Sequence, residues 1–380
     1  MKALDALLVE PYLSGSHRAW AEGWAATSGH RAVVVGHAGT AWRWRMTGAA
    51  VTMAGLLEDH ARRRGLPDAL VVSDMIDLAG LRGLLGPRWA PVPAVLYLHE
   101  DQLTQPVGPN GHGGDRRLAW VNWTSALAAD EVWVNSAWHL GRFTDALGPF
   151  LASAPDHRHD HLLGSVAARC RVVPVGADLR QLLAVDRSTP ATSGPGGPLV
   201  LWNHRWDHDK GVDRFLVSAR SLAAEGVPFR LALLGEDRHH DPGRWGPDLA
   251  PLADRVEVRG RLDRTDYEAV LALADVVVAA ARQENFGLSV VEAVAAGCVP
   301  VVPDTCSYPE VVPDPAARYP QGRLTTALRA ALDDLPSRRA ALGPVRSHVA
   351  GYDWGRVAPA ADALLTDVVA RGRRDPTLGT

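Results

Sequence analysis

Short apolar runs alternate with helix-length amphipathic stretches in both halves of this 380-residue chain, and that alternation confines it to parallel α/β architecture. In the first half the runs predict strands at Asp5–Val9, Ala32–Val35, Ala69–Val72, Ala94–Leu98, Glu131–Val134 and Arg171–Val175. Helices are expected near His17–Thr27, Ala49–Arg64, Arg116–Ala128 and Ala137–Leu147. Residues 187–198, RSTPATSGPGGP, are polar, rich in Gly and Pro and unable to bury a core, so they read as a linker. A second series follows, with strands at Leu199–Trp202, Arg230–Leu234, Val256–Arg259, Asp275–Ala279 and Val299–Val302. Between them lie helices at Asp213–Ala224, Arg264–Ala272 and Leu288–Ala295, and a terminal helix is expected over Val357–Ala370. The expectation is two Rossmann-like domains, 1–186 and 199–350, facing across a cleft, with residues 351–380 as a C-terminal segment. Such domains bind ligands at the C-terminal ends of their strands.

Composition narrows the class. A net charge of −3, from 40 Lys+Arg against 43 Asp+Glu, argues against a protein that coats nucleic acid nonspecifically, while leaving room for a local basic face. No apolar run approaches the ~20 residues of a bilayer span, and the N-terminus enters a strand without a signal-peptide cleavage pattern. Cys170, Cys298 and Cys306 are odd in number and widely spaced, which indicates neither a disulfide framework nor a zinc site. A cytoplasmic protein without membrane insertion is expected.

The densest chemistry lies in residues 282–293, RQENFGLSVVEA. Glu284 falls in a loop, Gly287 opens an apolar helix, and Glu292 sits inside that helix. A helix N-terminus presents unpaired N–H groups suited to phosphate, and carboxylates on either side can bond the hydroxyls of attached sugars. The pattern resembles the E-x7-E element of retaining, nucleotide-sugar-dependent glycosyltransferases with the GT-B fold. In such enzymes the strand-end segment Asn203–Gly211 supplies an Arg and a Lys, here Arg205 and Lys210, that grip the donor diphosphate. Two fixed cations stabilise the charge that grows as the sugar–phosphate bond breaks. The resemblance makes Glu284 the contact to the transferred sugar and Glu292 the contact to ribose. Asn285, Phe286, Gly287 and Leu288 line the diphosphate approach, while Gly235 and Arg261 shape the base pocket and Gly15 touches phosphate. Asp207-His208-Asp209 has metal-motif spacing but lies where such enzymes use cations, so a metal-independent reaction without cofactor is expected.

The first domain carries further segments: Glu10–His17 (EPYLSGSH), Trp42-Arg43-Trp44-Arg45 and His99–Val107 (HEDQLTQPV). With Pro155–Arg158, Asn203–Lys210 and Tyr308-Pro309-Glu310, they resemble the tRNA-queuosine alpha-mannosyltransferases over residues 5 to about 315. That resemblance implies a C-terminal helix crossing back onto the first domain, GDP-mannose as donor, and the cyclopentenediol of queuosine at the wobble position of tRNA-Asp as acceptor. It places Ser16, His17, Trp42, Arg43, Trp44, Arg45, His99, Glu100, Gln102 and Arg158 on the acceptor side, with His99 also catalytic beside Glu284, Arg205 and Lys210. Asp101 departs from the Asn expected there, and Gly108–Gly114 replaces a more charged stretch. Trp42 and Trp44 could stack on a base between the guanidinium groups, or form a strand edge packed on the core. Arg62–Arg64 and Arg116-Arg117 suit an RNA backbone or a solvated helix face. Asp156–His161 reads as an exposed polar turn rather than a metal site. The alternatives are a GT-B glycosyltransferase with a small-molecule, lipid or polysaccharide acceptor, and a non-catalytic nucleotide-sugar or RNA binder.

Overall fold

The structure, a computed structural model, describes residues 2–105, 115–187, 196–235 and 245–374. Pro106–Gly114, most of the 187–198 linker and Glu236 lie outside the described residues. The chain forms two compact units, residues 1–177 with 354–380, and residues 178–353.

The first unit runs β1 (Asp5–Leu13), α1 (Gly15–Thr27), β2 (Arg31–Ala38), α2 (Trp42–Arg64), β3 (Ala69–Ser73), α3 (Leu78–Leu85) and β4 (Ala94–Leu98). It continues through α4 (Arg116–Ala128), β5 (Glu131–Val134), α5 (Ala137–Ala152), α6 (Leu163–Arg169) and β6 (Cys170–Val172). The sheet is parallel throughout, in the order β2-β1-β3-β4-β5-β6, with Val9 level with both Val35 and Val72. Strands covered on both faces must be apolar along their whole length, and every residue of β3 and β4 is buried.

The second unit runs α7 (Arg180–Leu183), β7 (Leu199–Trp202), α8 (Val212–Ala224), β8 (Arg230–Leu234), α9 (Gly246–Leu249), β9 (Val256–Gly260), α10 (Arg264–Leu273) and β10 (Val276–Val278). It ends with α11 (Leu288–Ala295), β11 (Val299–Pro303), α12 (Tyr308–Val311), β12 (Arg318–Tyr319), α13 (Leu324–Asp333), α14 (Leu335–Ala340) and α15 (Gly343–Val349). Its sheet is again parallel, in the order β12-β11-β10-β7-β8-β9. Residues before the linker already belong here. Arg187 donates to the carbonyls of Ala296 and Leu271, and Arg346 to those of Leu182, Leu183 and Val185.

The final helix, α16 (Trp354–Arg374), returns to the first unit. The Trp354 ring fills space that glycines vacate: a Cβ at Gly23 or Gly176 would lie 2.2 or 2.3 Å from it. Asp362 accepts hydrogen bonds from Trp24 Nε1, Ser28 Oγ and the Gly29 N–H. Two doubly wound parallel units with a returning C-terminal helix constitute the GT-B fold.

Several expectations change. Residues 42–45 are not a strand edge but the first turn of α2, which begins seven residues before the expected Ala49. The strand expected at Arg171–Val175 is shorter, at Cys170–Val172. Three helices, α13 to α15, occupy residues 324–349, where none was expected.

Candidate active site

In the second unit the chemistry gathers where β7 and β10 end. Lys210 closes a 3-10 turn, His208–Lys210, and the next residue, Gly211, has φ +72°; a Cβ there would stand 2.1 Å from the Ala280 carbonyl oxygen. Only glycine lets the two strand ends approach so closely. The N–H groups of Arg282 and Gln283 then donate to the Asp209 carbonyl, and the Ser307 N–H and Oγ donate to the Glu284 carbonyl. This framework brings residues 74 apart into contact: Lys210 Nζ donates to Glu284 Oε2 at 2.9 Å.

Lys210 also lies 3.5 Å from Asp209 Oδ2, while Arg205 reaches Asp207 at 2.9 Å and Asp209 at 3.7 Å. Burial alone would discharge Lys210 and protonate Glu284, but each holds the other charged. The Lys210 pKa lies above its ordinary value, and the Glu284 pKa below its own. Asp207 and Asp209 thus have Arg205 and Lys210 as their charged neighbours.

Gly287, at φ +93°, begins α11 without a side-chain cap or an acid in the first turn, which leaves a helix N-terminus suited to an anion. Asn285 and Phe286 are buried beside it, and the Phe286 ring meets Tyr352 edge-on at 5.0 Å. Glu292, on the same helix, accepts from Arg264 Nη1 at 2.5 Å and from Tyr267 Oη at 2.9 Å. Gly235, at φ +110°, passes so close to the His204 carbonyl that a Cβ would lie 2.1 Å from its oxygen. Arg261 is exposed beyond β9.

The first unit has its own polar cluster at the ends of β1 and β4. Glu10, fully buried in β1, accepts from the Tyr12 N–H at 2.8 Å and contacts His17 Nδ1 at 2.9 Å. His99 Nε2 stands 4.0 Å from the same carboxylate oxygen, and the two imidazole rings lie 4.1 Å apart. Trp20 and Tyr97 each pack on His99 at 4.8 Å, and its N–H donates to Asp74. Burial works against a charge on His17, but the Glu10 carboxylate outweighs it and raises the pKa to about 9. Burial and the neighbouring charges of His17 and His139 drive His99 well below its ordinary value, so it is neutral. Burial also lifts Asp74 to about 8. Glu10, His17 and His99 are the three groups among the described residues close enough to hold a metal, with ligand atoms within 4.8 Å of one another.

A folded pKa above the unfolded ~6.5 means that the His17 contribution is complete below pH 6.5 and lost as pH rises through 9. Thermal unfolding across pH 6 to 10 is therefore expected to show a loss of about 3 kcal/mol that Glu10→Gln removes. Equal slopes in both proteins would contradict the assignment.

The remaining residues expected on the acceptor side are distributed. Ser16, and with it Gly15 from the donor-side set, is exposed at the start of α1. Trp42 joins Met46, Met75 and Leu118 in a small apolar cluster with Tyr12, whose ring meets His17 at 5.7 Å. The Arg43 guanidinium covers the Trp42 ring at 4.5 Å, and Trp44 projects outward, 66% exposed. Glu100 accepts from the Gln105 side chain, and the Gln102 N–H donates to Asn122. Asp101 is fully buried, accepting from the Thr104 N–H and Oγ and lying 3.1 Å from His139 Nε2, so the side chain at this departure from the expected Asn is held on both oxygens. Arg158 lies in an exposed segment after α5. Sequence reasoning assigned no role to Glu10, Asp74, Asn203, Arg264 or Tyr267; Glu10 and Asn203 did stand within the quoted segments.

Residues 5–177 match the family described as tRNA-queuosine alpha-mannosyltransferase N-terminal, and residues 190–334 match glycosyl transferases group 1. The tRNA-queuosine alpha-mannosyltransferase of Drosophila melanogaster is 29% identical over 313 residues, 81% of each chain. The first unit is thus similar to the N-terminal domain of the tRNA-queuosine alpha-mannosyltransferases, and the chain is a glycosyltransferase. A GDP-mannose:cellobiosyl-diphosphopolyprenol alpha-mannosyltransferase of Xanthomonas oryzae is 23% identical, over 67% of this chain and 65% of its own. Among solved structures, sucrose-phosphate synthase from Thermosynechococcus elongatus superposes with a TM-score of 0.70 at 16% identity, covering 97% of this chain and 100% of its own. Anabaena HepE in complex with UDP and glucose gives 0.68 at 15%, covering 96% and 100%. No helix among the described residues is long and apolar enough to cross a membrane.

Proposed function

We propose that this chain transfers mannose, with retention, from GDP-mannose to the cyclopentenediol of queuosine at the wobble position of tRNA-Asp. The observation that carries the catalytic half is the Lys210–Glu284 pair, set between Arg205 and the open N-terminus of α11. A binding protein has no need to bury such a pair. The acceptor half rests on the family match over residues 5–177 and on the printed activity of the Drosophila relative. The mannosyl donor is supported by both mannosyltransferase relatives, one of which is named for GDP-mannose.

In this reading Arg205, Lys210 and the backbone of Asn285–Leu288 hold the diphosphate, Glu284 the mannose hydroxyls and Glu292 the ribose. Gly235 and Arg261 border the guanine. The acceptor hydroxyl attacks the face from which GDP leaves; the new C–O bond forms as the sugar–phosphate bond breaks, and the proton passes to the β-phosphate. Catalysis comes from positioning and from cations matched to the leaving charge, without a metal. Gly15 touches the donor phosphate, Ser16, His17, His99, Glu100 and Gln102 serve the nucleoside, and Trp42–Arg45 with Arg158 serve the surrounding RNA. A tRNA substrate puts the protein in the cytoplasm.

Transfer of labelled mannose tests this. Label is expected on queuosine-bearing tRNA-Asp, undiminished by EDTA, and absent from tRNA without queuosine; label only on a lipid, polysaccharide or small molecule would favour the other acceptor class. Trp44→Ala is expected to weaken tRNA binding by about 5- to 100-fold, the worth of one stacked base, at unchanged thermal stability. Unaltered tRNA affinity would remove Trp44 from the acceptor surface.

A further inference from the structure

The Glu292 carboxylate is too well held to be an isolated sugar contact. It is 8% exposed, and a carboxylate that buried is costly unless it is paired. Its two partners, Arg264 and Tyr267, stand three residues apart on α10, on one helix face, and converge on it from the neighbouring helix. Tyr267 is itself held. Asn203, one residue beyond β7, donates through Nδ2 to Tyr267 Oη at 3.0 Å and to the Ser289 carbonyl at 2.9 Å. The hydrogen bonds therefore run one way: Asn203 to Tyr267, and Tyr267 to Glu292.

Burial and the Glu292 charge push the Tyr267 phenol well above its ordinary pKa, so it stays a donor at every working pH. An ionised carboxylate has about four acceptor positions. Tyr267 takes one on Oε2 and Arg264 takes one on Oε1, which leaves one on each oxygen. Two acceptor positions on a fixed carboxylate suit two adjacent hydroxyls.

We propose that Tyr267, anchored by Asn203, and Arg264 are positioning residues that fix Glu292 to receive a vicinal diol, the 2′- and 3′-hydroxyls of the donor's ribose. The inference deepens the donor-site reading above and rests on it. Arg264 is itself tethered, donating also to Glu268 and to the Asp178 carbonyl, so α10, α11 and the loop before α7 are tied together around this carboxylate.

The test compares GDP-mannose with its 2′-deoxyribose analogue in steady-state transfer by the wild-type protein, Tyr267→Phe and Arg264→Lys. Wild type is expected to lose about 10- to 100-fold in kcat/KM on the deoxy donor, the worth of a hydrogen bond to a charged group. Tyr267→Phe is expected to raise KM for GDP-mannose about tenfold, leave kcat within about threefold, and lose most of the discrimination against the deoxy donor. A purely structural loss would lower both donors equally and leave the ratio intact. Undiminished discrimination in Tyr267→Phe would overturn the inference while leaving the donor reading standing. So would a wild-type protein that uses both donors equally. If Tyr267→Phe does not fold, Arg264→Lys carries the same expectation and is judged by the same ratio. A wild-type protein that transfers from neither donor fails the donor reading itself, a result distinct from the others.

Discussion

Glu284→Gln is expected to lower kcat/KM for mannosyl transfer by roughly three orders of magnitude and to leave the protein folded. The glutamine amide still offers Lys210 an oxygen at the position of Oε2, and Lys210 keeps Asp209 as its second partner. What is lost is the carboxylate charge, and with it the strong hydrogen bonds to sugar hydroxyls whose polarity rises as the glycosidic bond loosens. Hydrogen bonds to a charged group are worth about 1.5–3 kcal/mol each, so two of them account for the expected loss. A Glu284→Gln protein with near wild-type turnover would remove this carboxylate from the mechanism.

The second large effect belongs to Lys210→Ala, which is expected to lose both activity and stability. In the proposed mechanism activity falls because the leaving diphosphate loses one of its two fixed cations. Stability falls by about 3 kcal/mol because Glu284, with its side chain only 14% exposed, is left without its main partner. The pH dependence separates the two. In the wild type, Lys210 outweighs burial and holds the Glu284 pKa below its ordinary value, so that contribution is present above pH 4.5 and lost as pH falls through the folded pKa. In the variant burial acts unopposed by Lys210, the carboxyl takes up its proton more readily, and the stability deficit shrinks as pH falls toward 4. The double variant Lys210→Ala/Glu284→Gln is expected to regain most of the stability at pH 7 and none of the activity. Denaturant titrations of the four proteins at pH 7 and pH 4.5 read this directly. A pH-independent deficit, or a double variant no more stable than Lys210→Ala, would show that the pair is not coupled as described.

Much of the fold was legible because strands buried on both faces leave a strong trace. Ala94–Leu98, Glu131–Val134, Leu199–Trp202 and Arg230–Leu234 were placed residue for residue. Short helices leave a weaker one. Leu335–Ala340 and Gly343–Val349 span about two turns each and carry proline near their starts, which reads as a loop in sequence. The early start of α2 had no signal at all: its N-cap is Ala41, in the left-handed region at φ +53° and without a capping side chain. The resulting turn puts Trp42 inward on Tyr12 and Trp44 outward, a division that strand alternation could not have given.

The site divides along the same line. Arg205, Lys210 and Glu284 after strand ends, and Glu292 inside α11, stood out in sequence as the cations and carboxylates that phosphate and sugar chemistry would use. Their supporting groups did not. Glu10 is the buried acid of an otherwise apolar strand interior and its partner His17 lies across a turn, and Tyr267 is 25 residues from the Glu292 that it holds. Such pairings have no local period and appear only when the strands and helices are in register.

The most direct measurement is the mass of the acceptor nucleoside. Queuosine-bearing tRNA-Asp incubated with the protein and GDP-mannose, then digested to nucleosides, is expected to yield queuosine heavier by one hexose, with no change when UDP-glucose replaces the donor. Unmodified queuosine with every nucleotide sugar supplied, under conditions in which the protein transfers hexose to some other acceptor, would contradict the assignment.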